Sequence, residues 1–373
     1  MDKPKPTGAS CCGGTVTDSQ PSHPPVDAPW IEGLVDTPFG GVPRVSTTLR
    51  FADRLGACKA RWAIGRMHYA IAPGLYAVGS PTPETQVFVS ANYKMSFDRL
   101  RSQLDGRDGW IMVLDTKGIN VWCAAGKGTF GTDEIVSSIE AVRLGEVVSH
   151  RRLVLPQLGA PGVSAHEVKR RTGFRALYGP VRVEDLPAFL DAGMKATPEM
   201  RRVGFPLRSR MAVVPVELVL SAKYALFIAA CFVLVSGLGR DGYSAARVKA
   251  AGLSSAALFL VGWLAGGALV PALLPWLPGR SFSAKGAWTG LAAVLAIGAY
   301  AWASPNIVAG DWLSVAAWLL MIPAVASFLG MNFTGASTYT SLSGVQREMR
   351  IAVPIQITAA SVGVVLWLVG RFV

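Results

Sequence analysis

The chain has 373 residues, of which 51% are hydrophobic and 16% charged, and its formal net charge is +12. This length suffices for two domains, and the apolar content is too high for an ordinary soluble protein. The five cysteines form no C-x-x-C pair and predict no disulfide framework. Because no run of four cysteines occurs, we expect the chain to hold no iron–sulfur cluster of its own.

Charged and apolar residues are separated along the chain. Most charged residues precede Met211, and nearly all long apolar runs follow it. The densest basic cluster abuts the first apolar run and consists of Arg201, Arg202, Arg208 and Arg210. This position favours membrane orientation over nucleic-acid binding as the reason for the positive charge. The first 14 residues lack an apolar core, so we expect no signal peptide and a cytoplasmic N-terminal half.

Residues 1–45 are rich in Pro, Gly, Ser and Thr without periodicity, which predicts a flexible tail. Cys11 and Cys12 are its one chemical feature. Vicinal soft thiols can bind a soft metal such as Hg(II), but adjacent cysteines in a tail are more often incidental. Both interpretations stay open.

Residues 46–200 alternate strand-like and helix-like segments. The patterns predict strands at 75–78, 87–89, 110–114, 120–124 and 152–155, and helices at 97–104, 132–144, 164–171 and 187–190. Thr132 is predicted to cap its helix, and Ser164 with Glu167 has the spacing of a capping box. The alternation predicts a mostly parallel sheet covered on both faces, with a ligand at the carboxyl ends of its strands.

The segment Gly118–Gly131 lies where a predicted strand leads into a predicted helix, with Cys123 at its centre. It contains a G-x-G-x-x-G pattern, but the dinucleotide fingerprint also requires an acid at the end of the next strand. Glu146 has the spacing and precedes that strand. The Walker A pattern fails as well, because Gly128 follows Lys127 where Ser or Thr is required. A lone cysteine beside Trp and Ala is itself usually a small buried hydrophobe.

Two segments carry a resemblance to known families. Residues Asn120–Lys127 read NVWCAAGK and resemble the signature of the mercury-methylating corrinoid protein family, membrane-anchored corrinoid methyltransferases of anaerobes. Residues Val87–Asp98 read VFVSANYKMSFD and are similar to a segment of the corrinoid iron–sulfur protein subunits of the acetyl-CoA pathway. The resemblance implies an α/β Rossmann-like corrinoid-binding domain with a cobalamin-type cofactor, in which Cys123 is the lower axial ligand of cobalt. The residues it places at the cofactor are Asn92, Tyr93, Asn120, Val121, Trp122, Cys123, Ala124, Ala125, Gly126 and Lys127.

The implied activity is transfer of a methyl group from methyl-cobalt(III) corrinoid to Hg(II), which gives methylmercury. Hg(II) is electron-poor, so the methyl group must arrive as a carbanion or radical equivalent, and a thiolate below cobalt favours this. The implied partners are a ferredoxin-like electron donor with two iron–sulfur clusters and a methyltetrahydrofolate-dependent methyl donor. A membrane-tethered corrinoid methyl carrier of one-carbon metabolism is the alternative. A membrane-tethered dinucleotide enzyme and a transporter with a regulatory domain also stay open.

Five apolar runs follow Arg210, at 213–236, 251–277, 287–304, 311–329 and 351–370. Each approaches the roughly 20 residues that cross a bilayer, so residues 211–373 are predicted to form an all-α five-helix transmembrane domain in the inner cell membrane. Basic residues favour a cytoplasmic N-terminus and an external C-terminus. The loop from Asn332 to Arg350 is then cytoplasmic, either facing the corrinoid domain or serving as a linker. Cys231, in mid-span, is either a mercury relay or, more often in such a setting, an inert buried thiol.

Overall fold

The computed structural model describes residues 24, 26–303, 312–333 and 342–373. The chain forms two compact units. The first comprises the residues up to Asp53 together with Met67–Arg201, and the second comprises Arg54–Arg66 together with Arg202–Val373. Cys11 and Cys12 lie outside the described residues.

A seven-stranded mixed sheet forms the centre of the first unit. Its strands are β1 (Ile31–Thr37), β2 (Gly40–Val45), β3 (Gly74–Val78), β4 (Val87–Ala91), β5 (Gly109–Leu114), β6 (Arg152–Leu155) and β7 (Arg175–Tyr178). Their spatial order is β1-β2-β3-β5-β4-β6-β7. Strands β5, β4, β6 and β7 are mutually parallel, whereas β3 is antiparallel to β5 and β1 is antiparallel to β2. The sequence predicts a mostly parallel sheet, and the sheet is mixed: β2 pairs with β3 in parallel, and β5, β4, β6 and β7 form its parallel half.

A flexible tail is predicted over residues 1–45, and the hairpin of β1 and β2 corrects that prediction for residues 31–45. Thr37 and Gly40 are paired at its turn, where the Thr37 hydroxyl donates to the Gly40 carbonyl at 2.7 Å. Proline and glycine at a tight turn give the same composition as a disordered segment. For residues 31–45, composition alone did not distinguish a hairpin with a tight turn from a disordered segment.

Both faces of the central strands β3, β4 and β5 are buried, as predicted. Every residue of β4 is buried, and its side chains alternate between two hydrophobic cores. Val87 and Val89 join the core that contains Phe130, whereas Phe88 joins the core that contains Phe97. Burial on both faces explains why β4 and β5 are continuous apolar runs and not alternating ones.

Among the described residues before Arg202, the chain forms seven helices. They are α1 (Phe51–Arg61), α2 (Lys94–Ser102), α3 (Val121–Lys127), α4 (Thr132–Ala141), α5 (Leu144–Val147), α6 (Ala165–Thr172) and α7 (Leu186–Asp191). Short 3-10 segments occupy Arg66–His68, Gln157–Gly162 and Val183–Asp185. Gly131, not Thr132, is the cap of α4. Ser164 precedes α6 but makes no side-chain capping hydrogen bond, so the capping box does not form.

The described part of the second unit contains five helices long and apolar enough to cross a membrane. They are Val214–Val235 (continuous with the short helix Leu207–Met211), Ala245–Leu273, Phe282–Ala303, Trp312–Asn332 and Leu342–Val369, here the first to fifth apolar helices. The third and fourth approach closely, since a Cβ atom added at Gly290 would lie 2.5 Å from the Cα atom of Pro323. Small residues at such contacts are typical of helices packed in membranes.

Candidate functional site at the carboxyl edge of the parallel strands

The side chain of Asn92 organises the loop that follows β5. Asn92 directly follows β4, and its Oδ1 atom accepts hydrogen bonds from the backbone N–H of Thr116 (3.2 Å) and of Gly118 (2.9 Å). The Thr116 hydroxyl lies 2.8 Å from the same oxygen and 2.7 Å from the carbonyl of Ile119. Asn92 is buried, and its Nδ2 donates to Asp115 Oδ1 at 3.1 Å. One amide therefore joins the ends of two neighbouring strands and fixes the loop.

The loop reverses direction through two left-handed residues. Lys117 has φ of 57° and Gly118 has φ of 70°. A lysine in this conformation costs about 1 kcal/mol, and its ammonium group pairs with the Asp115 carboxylate. Burial alone would raise the pKa of Asp115, but the hydrogen bonds and charge of Lys117, with the Asn92 amide, hold that pKa below its ordinary value. Asp115 is thus a fixed anion at the base of the loop.

Helix α3 begins where this loop ends. Asn120 is its N-cap, and the Asn120 Oδ1 atom accepts a hydrogen bond from the backbone N–H of Cys123 at 3.0 Å. Gly128 ends the helix in the left-handed conformation, with φ of 82°. The prediction of a strand over residues 120–124 is therefore wrong. Val, Trp and Cys favour strands locally, whereas an asparagine cap and a C-terminal glycine define a short helix.

The two faces of α3 differ. Ala124 and Ala125 are buried, and a Cβ atom added at Gly162 would lie 3.0 Å from the Cα atom of Ala125. Helix α3 thus packs closely on the 3-10 segment Gln157–Gly162 that follows β6. Val121, Trp122 and Cys123 are half-buried, while Gly126 and Lys127 are exposed. The Cys123 thiol is free and lies at the boundary between core and surface.

The position of α3 in the topology is that of a ligand site. Strand β4 pairs with β5 on one side and with β6 on the other. The connections that leave the carboxyl ends of β4 and β6 therefore diverge, and parallel α/β sheets commonly bind ligands at such a point. Helix α3 contacts both β4 and the 3-10 segment after β6. The structure thus places Cys123 at the edge where the sequence predicts a ligand.

The predicted site residues separate into three groups. The predicted residues from Val121 to Lys127 form helix α3, and Asn120 is its N-cap. The side chain of Asn92 is occupied in holding the loop, and Tyr93 is buried with its ring edge-on to Tyr69 at 6.2 Å. Asp115 and Thr116 were missed, although two polar residues directly after a buried strand are a usual signal of a strand's carboxyl end.

A buried charge cluster lies behind this edge and was also missed. Lys94 Nζ lies 2.6 Å from both Asp53 Oδ1 and Asp98 Oδ2. Arg101, which is 0% exposed, contacts the same two acids at 3.0 Å and 2.9 Å. Burial alone would raise the pKa of Asp53, but the hydrogen bond and charge of Lys94 outweigh it and hold the pKa below its usual value. Two cations and two anions thus compensate each other where α2 begins.

The described residues contain no group of three or more His, Cys, Asp or Glu side chains that would hold a metal ion. A metal bound at α3 would have to bring most of its own ligands. Within the described residues, the fold and the site thus define a mixed α/β unit with the free thiol of Cys123 at its sheet edge, followed along the chain by five apolar helices.

Comparison with known proteins identifies the relatives of the first unit. Residues 65–190 match the family model of the CO dehydrogenase/acetyl-CoA synthase delta subunit. The gamma subunit of the acetyl-CoA decarbonylase/synthase complex of Archaeoglobus fulgidus is 34% identical over 113 residues, which are 30% of this chain and 24% of the relative. The corresponding subunit of Methanopyrus kandleri is 29% identical over 123 residues, which are 32% of this chain and 26% of the relative.

These matches confirm the similarity to subunits of the acetyl-CoA pathway. The chain spans about a quarter of the length of the curated relatives it matches. The family match ends at residue 190, before the first apolar helix. The resemblance to mercury-methylating proteins stays a prediction that rests on residues Asn120–Lys127.

Proposed function

We propose that the first unit binds a corrinoid and acts in methyl transfer, with the Cys123 thiolate as the protein's ligand to cobalt. The observation that carries the proposal is the free, half-buried Cys123 on a capped helix at the carboxyl edge of the parallel strands. The similarity of residues 65–190 to a subunit of acetyl-CoA synthase supports it.

The residues of this edge fit such a cofactor. A corrinoid would bring most of the ligands of its own cobalt, so the protein would need to add a single donor, the Cys123 sulfur, and not a cluster. A single soft sulfur meets that need. The surface at Gly126 is open, since an added Cβ atom would meet no atom within 4 Å. A cofactor could therefore approach the helix there.

When bound, the corrinoid would supply a cobalt centre that accepts and releases a methyl group. The chain's own residues would position that centre and exclude water. The Asn120 cap fixes the first turn of α3 and with it the Cys123 backbone. Ala124 and Ala125 anchor the helix on the core, and the half-buried Val121 and Trp122 would shield the sulfur from solvent.

Two methyl acceptors are candidates. The comparisons favour a corrinoid methyl carrier of one-carbon metabolism, because the relatives named above are subunits of acetyl-CoA decarbonylase/synthase complexes. Methylation of Hg(II) to methylmercury is the second candidate, and the signature around Cys123 supports it. A strong sulfur donor is the ligand expected where methyl must leave with its electrons. A ferredoxin-like electron donor and a methyltetrahydrofolate-dependent methyl donor are proposed partners of the second activity, at a cytoplasmic face of the inner membrane.

The test uses the full-length protein reconstituted with cobalamin, in wild-type form and as Cys123→Ala and Cys123→His. We expect both variants to keep most of the corrinoid and to show altered visible spectra, because one ligand is lost or replaced. Labelled methyl groups supplied from methyltetrahydrofolate are then followed with and without Hg(II). A wild-type spectrum in Cys123→Ala would end the thiolate assignment. Methyl exchange with tetrahydrofolate but no methylmercury would select the carrier.

A further inference from the structure

Helix α1 carries an apolar stripe on its exposed side. Phe51, Leu55, Cys58 and Trp62 recur at spacings of four, three and four residues, which places them on one side of an α-helix. Trp62 follows the last helical residue, and its backbone N–H still donates to the Cys58 carbonyl at 3.1 Å, so the helical turn extends to it. All four residues are exposed, Phe51 by 79% and Trp62 by 49%. Single exposed apolar side chains are common on protein surfaces, whereas a stripe of them at helical spacing indicates an interaction surface.

The opposite side of α1 is held by the chain itself. Asp53 and Ala60 are buried, and Ala57 between them is half-buried. The Asp53 carboxylate pairs with Lys94 at 2.6 Å and with Arg101 at 3.0 Å. The helix is therefore fixed with small residues inward and large apolar side chains outward. A surface helix of a soluble protein has the reverse arrangement, with its apolar side toward the core.

Basic residues border the stripe on both sides. At about 100° per residue, Arg54 and Arg61 lie along one border and Lys59 lies along the other. Arg54 and Lys59 are exposed. Asp53 is the one acidic residue in the sequence of the helix, and it lies on the buried side. The exposed side thus combines an apolar centre with cationic borders, which is the pattern of helices that lie in the interface of an anionic membrane.

We propose that α1 lies on an anionic bilayer surface, with Phe51, Leu55 and Trp62 inserted at the headgroup level and with Arg54 and Lys59 at the lipid phosphates. The charge pattern favours lipid over a protein partner, because every exposed charge on the helix is positive. The same chain has five helices long and apolar enough to cross a membrane, and the compact unit that includes them also includes Arg54–Arg66. Tryptophan is itself enriched at membrane interfaces. The proposal is independent of the corrinoid chemistry.

Cys58 provides the readout, since it is a free and exposed thiol within the stripe. The full-length protein is reconstituted at one copy per nanodisc, in phosphatidylcholine or in a mixture of phosphatidylcholine and phosphatidylglycerol. An uncharged polyethylene glycol maleimide, which stays in water, alkylates the exposed thiols, and peptide mass spectrometry follows Cys58 alone. We expect Cys58 to react about tenfold more slowly in the anionic nanodiscs, because the basic residues add electrostatic attraction to the apolar insertion.

Two pairs of variants separate charge from insertion. Lys59→Glu should abolish the difference between the two nanodiscs, whereas Lys169→Glu makes the same change at an exposed lysine of α6 and should leave the difference intact. Leu55→Ser keeps every charge and should also reduce the difference. Its control is Leu34→Ser, because Leu34 is 54% exposed on β1 and Leu55 is 41% exposed.

Two results would overturn the proposal. The first is an equal rate for wild-type Cys58 in both nanodiscs, which would show that anionic lipid does not cover the stripe. The second is a slower rate in anionic lipid that Lys59→Glu abolishes and Leu55→Ser leaves unchanged. Surface charge alone would then explain the effect, without insertion of the apolar side chains. A contact with a second copy is excluded because each nanodisc holds one copy.

Discussion

The side-chain oxygen of Asn120 accepts a hydrogen bond from the backbone N–H of Cys123 at 3.0 Å. This bond spans the first turn of α3, so the residue that begins the helix also fixes the residue that carries the thiol. Because α3 has only seven residues, it has little helical stability of its own. Its position depends on this cap and on the packing of Ala124 and Ala125.

Asn120→Ala should weaken α3 while leaving the sheet intact. Loss of an N-cap costs about 0.5–2 kcal/mol. We expect faster amide exchange in residues 121–127, with unchanged exchange in β4, when the full-length protein is followed by hydrogen-exchange mass spectrometry. Asn120→Ser is the matched control, since serine also caps, and it should restore protection. Equal protection in both variants would show that packing alone holds the helix.

A second prediction tests whether Asn92 acts through its amide nitrogen. Asn92→Asp keeps the oxygen that accepts from Thr116 and Gly118 but places a second carboxylate 3.1 Å from Asp115. Two such carboxylates cannot easily ionise together, so the pKa of one of them should rise in the folded state. A raised folded pKa makes the variant less stable at neutral pH, by about 1–3 kcal/mol, and the deficit should shrink as pH falls through that pKa. Exchange rates in β5 measured at pH 7 and pH 5 check this. Asn92→Ala, which adds no charge, should show a deficit independent of pH.

Much of the sheet was predictable from the sequence because burial on both faces leaves a plain signal. Strands β3, β4, β5 and β6 coincide with predicted apolar runs, since each lies between two hydrophobic cores. The hairpin over residues 31–45 was not predictable from composition. Its strands pair through backbone hydrogen bonds, and several of its side chains are exposed, as Leu34 is.

The site was less predictable than the sheet. Cys123 and its neighbours were found from the resemblance, but their conformation was predicted as a strand. The hydrogen bond between Asn120 and Cys123 makes this segment a helix. Hydrophobic periodicity, whether of two residues for a strand or of 3.6 for a helix, does not detect such a bond. The buried ion cluster was missed for a similar reason. Asp53 and Arg101 are 48 positions apart in the sequence and meet only because β4 and α2 bring them together.

A third prediction concerns the topology of the apolar helices. If all five apolar helices cross the membrane, the two ends of the helical part would lie on opposite sides of it, and the basic flanks favour a cytoplasmic N-terminal side. A reporter fused after Val373 should be active only if it functions outside the cytoplasm. The same reporter inserted in segment 334–341, which lies outside the described residues, should report the inside. The reverse result in both fusions would contradict the orientation.

A fourth prediction distinguishes buried from exposed ion pairs. Arg101→Met should leave Asp53 and Asp98 undercompensated and cost about 3–5 kcal/mol. Arg99→Met is the control on the same helix, because Arg99 is 51% exposed and lies 3.6 Å from Glu184. It should cost less than about 1 kcal/mol. Amide exchange rates in α2 and β4 measure the loss of stability in both variants.

The same cluster predicts a pH dependence for the wild type. The folded pKa of Asp53 is lowered, so its contribution to stability is complete above its unfolded pKa of about 3.9. That contribution is lost as pH falls further through the folded pKa. Titration of Asp53 should therefore not change the amide-exchange protection of α2 between pH 5 and pH 7. The protection should fall in stronger acid. A loss of protection centred above pH 5 would show that another group controls this helix.

The last prediction compares two glycines on opposite sides of α3. A Cβ atom at Gly162 would collide with the Phe130 carbonyl and lie 3.0 Å from Ala125, so Gly162→Ala should displace α3 and destabilise the first unit by about 1–3 kcal/mol. Gly126 lies within the helix and faces open space. Gly126→Ala should therefore raise helix stability by up to about 1 kcal/mol.

If a corrinoid lies on that open side, Gly126→Ala should nevertheless bind less cobalamin than the wild type, although its amide protection is as good or better. Corrinoid content and amide exchange measured on the same samples separate these effects. Full cobalamin content in Gly126→Ala would place the ring elsewhere on α3, and unchanged protection in Gly162→Ala would show that α3 does not depend on its contact with the segment after β6.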